Sequence, residues 1–397
     1  MSLILALLFT PLLAAEVPAV DWVARAEARG DSPAPGAGGV VGRILQLDLG
    51  ATARISEGDW RLLAAYQPRL LVTAPDFAGK DLVNLLNTGR LEADYSISRL
   101  QKLSLEQTLS YGRQDFSPLT GIVAGALPPT VQNGPRLPSL ELLSVFSSVT
   151  SLTYAQAITR RLTLSGRAAF QVGGGADAAA QAYLLQQRGV PAEAKLSWQA
   201  SPRDLLSLEL GGSTFAFSNG ARTTITKAAG AWTGGFGPSL SAHLGLGGGT
   251  TLTNSLGEPT SLQLTYLASA GLTSVFNLGR EKLIGAFTGS VNTVTDQLSG
   301  APYRLGTLVG SVGYEPLNVL RLTASGSVGK ALGGAAERGQ TLTVVDAATN
   351  WQAAREVGIS VGARFAAQAG GTAAVPHGTQ WAGYAAITYL PRAPVPR

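Results

Sequence analysis

The sequence predicts an all-β chain that folds as a single transmembrane antiparallel β-barrel of about 18 strands, with short periplasmic turns and longer external loops. Three observations favour this fold. Apolar and polar residues alternate over many stretches of about ten residues, the length of a tilted membrane-spanning strand. Short and long connections alternate along the chain. Only 14% of the 397 residues are charged, whereas about 25% is usual in soluble proteins.

The clearest alternation lies in residues 89–112, GRLEADYSISRLQKLSLEQTLSYG. Successive side chains on a strand point to opposite faces, so each half has one apolar face, which includes Tyr95 or Tyr111, and one polar face. Only Arg99 to Lys102 joins the halves, which is short enough for a hairpin turn. Tyrosines suit a membrane interface. From this stretch alone, a sandwich hairpin with one solvated face is an equal alternative.

The spacing of the connections separates these two folds. Tight turns are predicted at 159–161, 201–204, 233–238, 277–282, 315–318 and 353–356, and longer Gly-rich connections at 172–190, 217–222, 247–260, 295–302, 330–339 and 367–378. Such strict alternation is typical of outer-membrane barrels, and the Greek-key links of a sandwich do not produce it. Roughly 17 strands are clear, and about 18 form if residues 20–30 are a strand rather than a short helix, which returns both termini to the periplasm.

The chain is expected to divide into a signal peptide (1–19), an outer-membrane β-barrel (20–390) and a short C-terminal tail (391–397). Residues 2–15 form one apolar run without charge, which is too short to span a bilayer, and cleavage could follow Ala15 or Ala19. Within the barrel, KDLVNLLN (80–87) is expected to make a short helix in an external loop.

Charged residues on the polar faces are expected to point into the lumen, because a charge facing lipid near the midplane costs about 2–4 kcal/mol. Asp48 and Glu193 are expected to point into the lumen together with the twelve residues named below, whereas Leu105 and Leu164 should face lipid. Either the charges line a water-filled channel, or they close the lumen with their own salt bridges. The predicted lumen-lining residues are Arg61, Arg69, Arg90, Glu92, Asp94, Lys102, Glu106, Arg167, Lys195, Glu209, Arg321 and Arg364.

Two long connections, 113–141 and 172–190, are expected to narrow the pore. The first is rich in proline, which limits its flexibility. The second contains DAAAQAYLLQQRG, with Asp177 as a plausible helix cap and Gly189 as its stop. The apolar side of such a helix, Leu184 and Leu185, must be covered either by the inner wall or by a partner at the rim.

The sequence indicates no catalytic, cofactor or metal site. There is no cysteine, which excludes disulfides and thiol chemistry. His243 follows Ser239 and Ser241 on a polar face and His377 lies in the last loop, but no Asp or Asn at useful spacing completes a triad. The glycine cluster 245–249 favours a strand-end loop over a nucleotide site. The net charge of +5 is modest and forms no basic run, so nucleic-acid binding is not expected.

The alternating tight turns and long loops, the signal peptide and the last strand, with Trp381, Ile387 and Tyr389 on one face, resemble bacterial outer-membrane porin-like barrels. The size and the small residues in the strands also resemble the 18-stranded barrels that partner periplasmic polysaccharide-export proteins. The resemblance implies an outer-membrane channel for hydrophilic solutes or a secreted polymer such as exopolysaccharide. It implies as partners outer-membrane lipid, the barrel-assembly machinery and a periplasmic polysaccharide-export protein. A structural or docking barrel without an open channel, and a barrel hydrolase, remain as alternatives.

Overall fold

The structure is a computed structural model, which describes residues 19–32, 42–73, 83–115, 142–254, 259–295, 300–334, 341–369 and 378–391. These residues form eighteen strands and one short helix. In chain order they are β1 (Ala19–Asp31), β2 (Gly42–Glu57), β3 (Trp60–Thr73), β4 (Val83–Ser98), β5 (Gln101–Asp115), β6 (Leu142–Ala157), β7 (Leu162–Gly175), α1 (Ala178–Gln181), β8 (Gln187–Gln199), β9 (Asp204–Phe217), β10 (Arg222–Gly235), β11 (Leu240–Asn254), β12 (Ser261–Leu278), β13 (Glu281–Thr295), β14 (Pro302–Leu317), β15 (Leu320–Gly334), β16 (Thr341–Gln352), β17 (Val357–Ala369) and β18 (Gly378–Tyr389).

The sheet closes on itself. Every strand pairs antiparallel with its neighbours in sequence, and β18 pairs antiparallel with β1, where Ala28 lies opposite Ala385. The predicted barrel of 18 strands is confirmed, and residues 20–30 belong to β1 rather than to a helix. Closure removes the free edges that an open sheet would expose to lipid, where an unpaired backbone group costs several kcal/mol.

Contacts between distant strands identify the inner face of the barrel. Arg29 on β1 forms an ion pair of 2.9 Å with Asp115 at the end of β5, although three strands lie between them in the sheet. Such a contact forms only across the concave side. The opposite, outer face carries exposed leucines such as Leu208, Leu210 and Leu246. The alternation along each strand therefore separates an inner polar face from an outer apolar one.

Aromatic rings lie on the outer face close to the short turns. Trp60 stacks on Tyr95 with ring centroids 4.4 Å apart, and Trp22 meets Tyr389 edge-on at 5.3 Å. Amphipathic rings are favoured at the level of the lipid headgroups. The ring pairs therefore mark the periplasmic membrane interface, on the same side as the start of β1 and the end of β18.

Two local predictions are wrong. Residues 83–87 of the expected helix KDLVNLLN belong to β4. They pair with β3 throughout and with β5 from Leu86 onward, whereas a short isolated helix is only marginally stable in water. The glycines 245–249 lie inside β11 and not in a strand-end loop. A side chain at Gly247 or Gly249 would collide with the backbone of β10, so glycine there permits close approach of the two strands.

The predicted signal peptide and C-terminal tail stay predictions. The described chain begins at Ala19 and ends at residue 391, so both segments lie almost entirely outside the described residues. No helix among the described residues is long and apolar enough to cross a membrane.

Candidate functional site: the inner wall of the barrel

The strand registers place all twelve predicted side chains on the inner face, which is the face on which Arg29 and Asp115 meet. The matched pair on β5 illustrates this, since Leu105 points outward while Glu106 reaches Arg90 on β4 at 3.0 Å. On β7, Leu164 is exposed on the outer face and Arg167 lies on the inner face, opposite Glu193 of β8.

One network of charged side chains on the inner wall joins β1, β16, β17 and β18. Arg364 donates to Asp346 at 2.7 Å and to Glu27 at 3.4 Å. Its guanidinium lies 4.3 Å from the centre of the Tyr384 ring, and the Tyr384 hydroxyl donates to Asp346 at 3.2 Å. Arg25 holds the other oxygen of Glu27 at 2.5 Å. Each carboxylate therefore has charged partners, which offsets the cost of its burial.

Most of the other predicted charges are also paired. The ion pairs that contain them are Arg69–Asp48 at 2.6 Å, Arg90–Glu92 at 3.0 Å, Arg90–Glu106 at 3.0 Å, Lys102–Asp94 at 2.9 Å and Arg321–Glu315 at 3.6 Å. Lys227 on β10 bridges Glu209 and, at 3.8 Å, Glu193. Arg61, Arg167 and Lys195 form no ion pair within the described ranges.

One sector of the inner wall differs from the rest. On β11 to β15 the described central and external inner positions carry no charge. Most are Ser, Thr, Gly, Ala or Val, and the larger ones are His243, Gln263, Leu267, Asn292, Tyr303 and Leu305. Among the described inner positions of these strands, charges appear only near the periplasmic end, at Lys282, Glu315 and Arg321. Hydroxyls there bond to each other, as Ser290 does with Thr307 at 2.7 Å. We call this part of the wall the hydroxyl-lined sector; above its periplasmic end the described inner positions are uncharged and mostly small or hydroxyl-bearing.

His243 lies in the hydroxyl-lined sector. Its Nε2 atom is 3.0 Å from the hydroxyl of Ser269, and its Nδ1 atom is 3.2 Å from the hydroxyl of Thr233. A hydrolase triad needs a carboxylate or amide at the Nδ1 position to orient the imidazole. Thr233 holds that position instead, so the geometry is that of a polar wall. His377 lies outside the described residues. No group of three or more potential metal ligands occurs in the described part of the chain.

The segment between β7 and β8 folds over the inner wall at the external mouth. Asp177 caps α1 by accepting a hydrogen bond of 2.8 Å from the backbone N–H of Ala180. That bond and one from Ser144 hold the pKa of Asp177 below its usual range. Gly189 is not the helix stop, because α1 ends at Gln181 and β8 begins at Gln187.

The apolar side of this segment is covered by the barrel itself. Leu184 is 1% exposed and packs with Ala180 against three inner-face side chains of the neighbouring strands, Leu86, Leu143 and Val145. Leu185 packs against a second cluster of Phe215, Phe217 and Ala221. Of the two alternatives left open by the sequence, the inner wall is the one observed. We name residues 176–186 the mouth segment.

Other contacts also cross the mouth. The hydroxyl of Thr223 on β10 donates to the carbonyl of Gly300, just before β14, at 2.7 Å. Arg29 on β1 reaches Asp115 on β5 at 2.9 Å, and it also pairs with Asp31 on its own strand at 2.7 Å. The expected constriction by residues 113–141 falls mainly on residues outside those described, and it stays a prediction.

Sequence reasoning missed several members of this wall. Glu27, Lys227, Glu315, Asp346 and Tyr384 were not among the predicted residues, although each holds one of them. The alternation on β1 and β16 could have indicated Glu27 and Asp346. The cross-strand pairing that joins them to Arg364 has no signal in the sequence.

A sequence profile of the EpsX exopolysaccharide export family matches residues 19–373 of the chain. The chain belongs to this family. No curated protein sequence matches it. The closed barrel with its apolar outer face is that of an outer-membrane protein, and membership of an exopolysaccharide export family supports a channel for solutes or exopolysaccharide.

Several solved structures resemble this barrel. The FrpB iron transporter from Neisseria meningitidis (F5-1 variant) has a TM-score of 0.53 at 11% identity over 90% of this chain, which spans only 64% of FrpB. OccAB4 from Acinetobacter baumannii has a TM-score of 0.50 at 8% identity, over 95% of this chain and 99% of OccAB4. OpdL from Pseudomonas aeruginosa has a TM-score of 0.50 at 12% identity, over 94% and 98%. At such identities the likeness shows a shared barrel fold.

Proposed function

We propose that the barrel is the outer-membrane conduit of a secreted polysaccharide, which a periplasmic export protein delivers to its periplasmic rim. The observation that carries the proposal is the hydroxyl-lined sector on β11 to β15, together with membership of an exopolysaccharide export family. A polymer can move only if binding to the wall is favourable enough for entry and weak enough for release. Hydroxyls and small side chains offer a saccharide many weak, exchangeable hydrogen bonds.

In this proposal the twelve predicted side chains line the pore, and their ion pairs keep the wall close to neutral. A wall of unpaired arginines would hold an anionic polymer tightly, and a wall of unpaired carboxylates would repel it. Pairs such as Arg69–Asp48 reduce both effects while remaining hydrated. The barrel supplies passage, and the proposal assigns it no chemical step.

Cysteine labelling tests passage directly, because the chain has no cysteine of its own. Ser325 and Ala324 are adjacent and exposed on β15, with Ser325 on the inner face and Ala324 on the outer face. In Ser325→Cys, a bulky membrane-impermeant maleimide should react, lower single-channel conductance and reduce the polysaccharide on the cell surface.

The matched variant Ala324→Cys should leave conductance and export unchanged after the same treatment. Equal block in both variants would contradict the assigned faces. Block of conductance with normal polysaccharide export would show that small solutes, and not the polymer, use this lumen.

The periplasmic rim offers a docking surface for the export partner. Four of the short turns carry an exposed large apolar side chain, Leu100 (60% exposed), Ile158 (49%), Phe236 (62%) and Val319 (46%). Around Leu100 the rim forms a concavity lined by Ile97, Lys102 and residues 155–157. Scattered apolar residues are normal on a surface, but repetition around one rim favours a protein contact.

The double variant Leu100→Asp with Ile158→Asp should weaken this contact. We expect co-purification with a tagged periplasmic polysaccharide-export protein of the same cell to be lost almost completely. Two buried apolar side chains contribute roughly 1.5–3 kcal/mol each at an interface, which together corresponds to more than about a hundredfold in affinity. Surface polysaccharide should fall with it, while the heat-modified gel mobility stays normal. The control Arg160→Asp, in the same turn as Ile158, should have little effect. Unchanged co-purification in the double variant would remove this rim from the docking surface.

A further inference from the structure

The outer face of the barrel has a one-sided charge distribution. In its external half, the described residues present five cations and no carboxylate. The outer-face carboxylates, Glu57, Asp204 and Glu281, all lie at the periplasmic ends of their strands. The outward cations near the external ends are Arg43, Arg188, Arg222, Arg304 and Lys330.

Two of these cations form a compact pair. Arg188 on β8 and Arg222 on β10 both lie opposite Ala216 on β9, one on each side. Both side chains are exposed and neither forms an ion pair within the described ranges. Two strand spacings separate their backbones by about 10 Å, so both guanidinium groups can reach one group, or two linked groups, above Ala216.

Threonine hydroxyls lie next to this cationic pair, on its periplasmic side. In the next row of the outer face, the hydroxyls of Thr214 and Thr224 lie 3.1 Å apart. One row further, those of Thr226 and Thr250 are 2.7 Å apart. Hydroxyls facing hydrocarbon would be poorly satisfied, so this stretch suits the level of lipid headgroups.

Further toward the periplasmic end, the outer face of the same strands carries small residues and then large apolar ones. Ala192 and Gly212 lie in the same row as Thr226, and the next row holds Ala194, Leu210, Ala228 and Gly248. A shallow apolar concavity of about 470 Å³ follows, lined by side chains such as Leu196, Leu208 and Trp232. The outer face of β8 to β11 is therefore graded from cations through hydroxyls to an apolar groove.

We propose that this surface binds lipopolysaccharide of the outer leaflet, with its headgroup phosphates on Arg188 and Arg222 and its acyl chains along the strands below. The charge complementarity decides the occupant. Guanidinium groups bind phosphate through paired hydrogen bonds, and saccharide hydroxyls match the threonine rows. A second copy of the chain would bring the same cations against each other, and a neutral lipid would leave them unpaired.

Binding is tested by native mass spectrometry of the folded barrel in detergent after incubation with lipopolysaccharide. We expect Arg188→Gln with Arg222→Gln to lower the bound fraction at least tenfold. The matched control removes two exposed arginines from a periplasmic turn, as Arg160→Gln with Arg161→Gln, and should bind like the wild type. Lipopolysaccharide stripped of phosphate should bind the wild type as weakly as it binds the double variant.

A second variant protects the test against misfolding. Arg188→Lys with Arg222→Lys keeps both charges but loses the planar donor pair, and we expect intermediate binding. A change in gel mobility on boiling shows that each variant has folded. Equal binding by the glutamine variant and the wild type would overturn the proposal. So would equal losses in both arginine pairs, which would indicate attraction by net charge alone, and so would undiminished binding of the phosphate-free lipid.

Discussion

Leu210→Arg should prevent most of the protein from assembling in the outer membrane. Leu210 lies in the middle of β9, on the outer face, and is 54% exposed to the lipid phase. An arginine facing lipid near the midplane costs about 2–4 kcal/mol. The gel band of the folded barrel, which shifts on boiling, should weaken several-fold, and fractionation should show a matching loss of protein from the outer membrane.

The neighbouring substitution Glu209→Gln is the matched control. Glu209 lies on the inner face, where Lys227 holds it, and Lys227 keeps Glu193 at 3.8 Å when Glu209 is lost. The pair is hydrated, so the loss should be about 1 kcal/mol or less. Normal assembly of Glu209→Gln is therefore expected. If both variants assembled equally well, the register of β9 would have to be shifted by one residue, which exchanges the faces.

Replacing residues 177–185 by two glycines should raise single-channel conductance in planar bilayers roughly two-fold, because we expect the mouth segment to narrow the pore where it covers the inner wall. The mouth segment covers the inner wall through Leu184 and Leu185. The barrel should still assemble, since no strand is shortened.

Two single variants separate occlusion from general disturbance. Leu184→Ser should loosen the mouth segment, because a side chain that is 1% exposed loses its apolar contacts, and channel recordings should become noisier. Tyr183→Ala, at a side chain that is 38% exposed, should leave the recordings unchanged. Wild-type conductance after the nine-residue replacement would mean that the mouth segment lies beside the path of the ions.

Features that depend on neighbouring residues could be predicted from the sequence, whereas features that depend on distant residues could not. The period-two alternation in residues 89–112 predicted β4, β5 and their hairpin, because the side-chain direction on a strand is a local property. Residues 83–87 were mistaken for a helix, because strand pairing with β3 is not visible in eight residues. The glycines of β11 were read as a loop for the same reason, since their close approach to β10 is a tertiary contact.

The inner wall shows the same division. The faces of Arg364, Arg90 and Glu106 followed from alternation alone. The partners did not follow, because Glu27 and Arg364 are 337 positions apart in sequence and meet only when β18 pairs with β1. Likewise, the cap of α1 at Asp177 was readable from the sequence, whereas the extent of that helix was set by β8, which begins at Gln187.

The sequence by itself determined that this chain is an outer-membrane barrel with a polar inner face, since a period of two and the alternation of short and long connections are local properties. Only the tertiary structure decided which charges neutralise each other, that the mouth segment packs on the inner wall, and that Arg188 and Arg222 flank the same residue. All three depend on closure and register, which bring distant residues onto one surface.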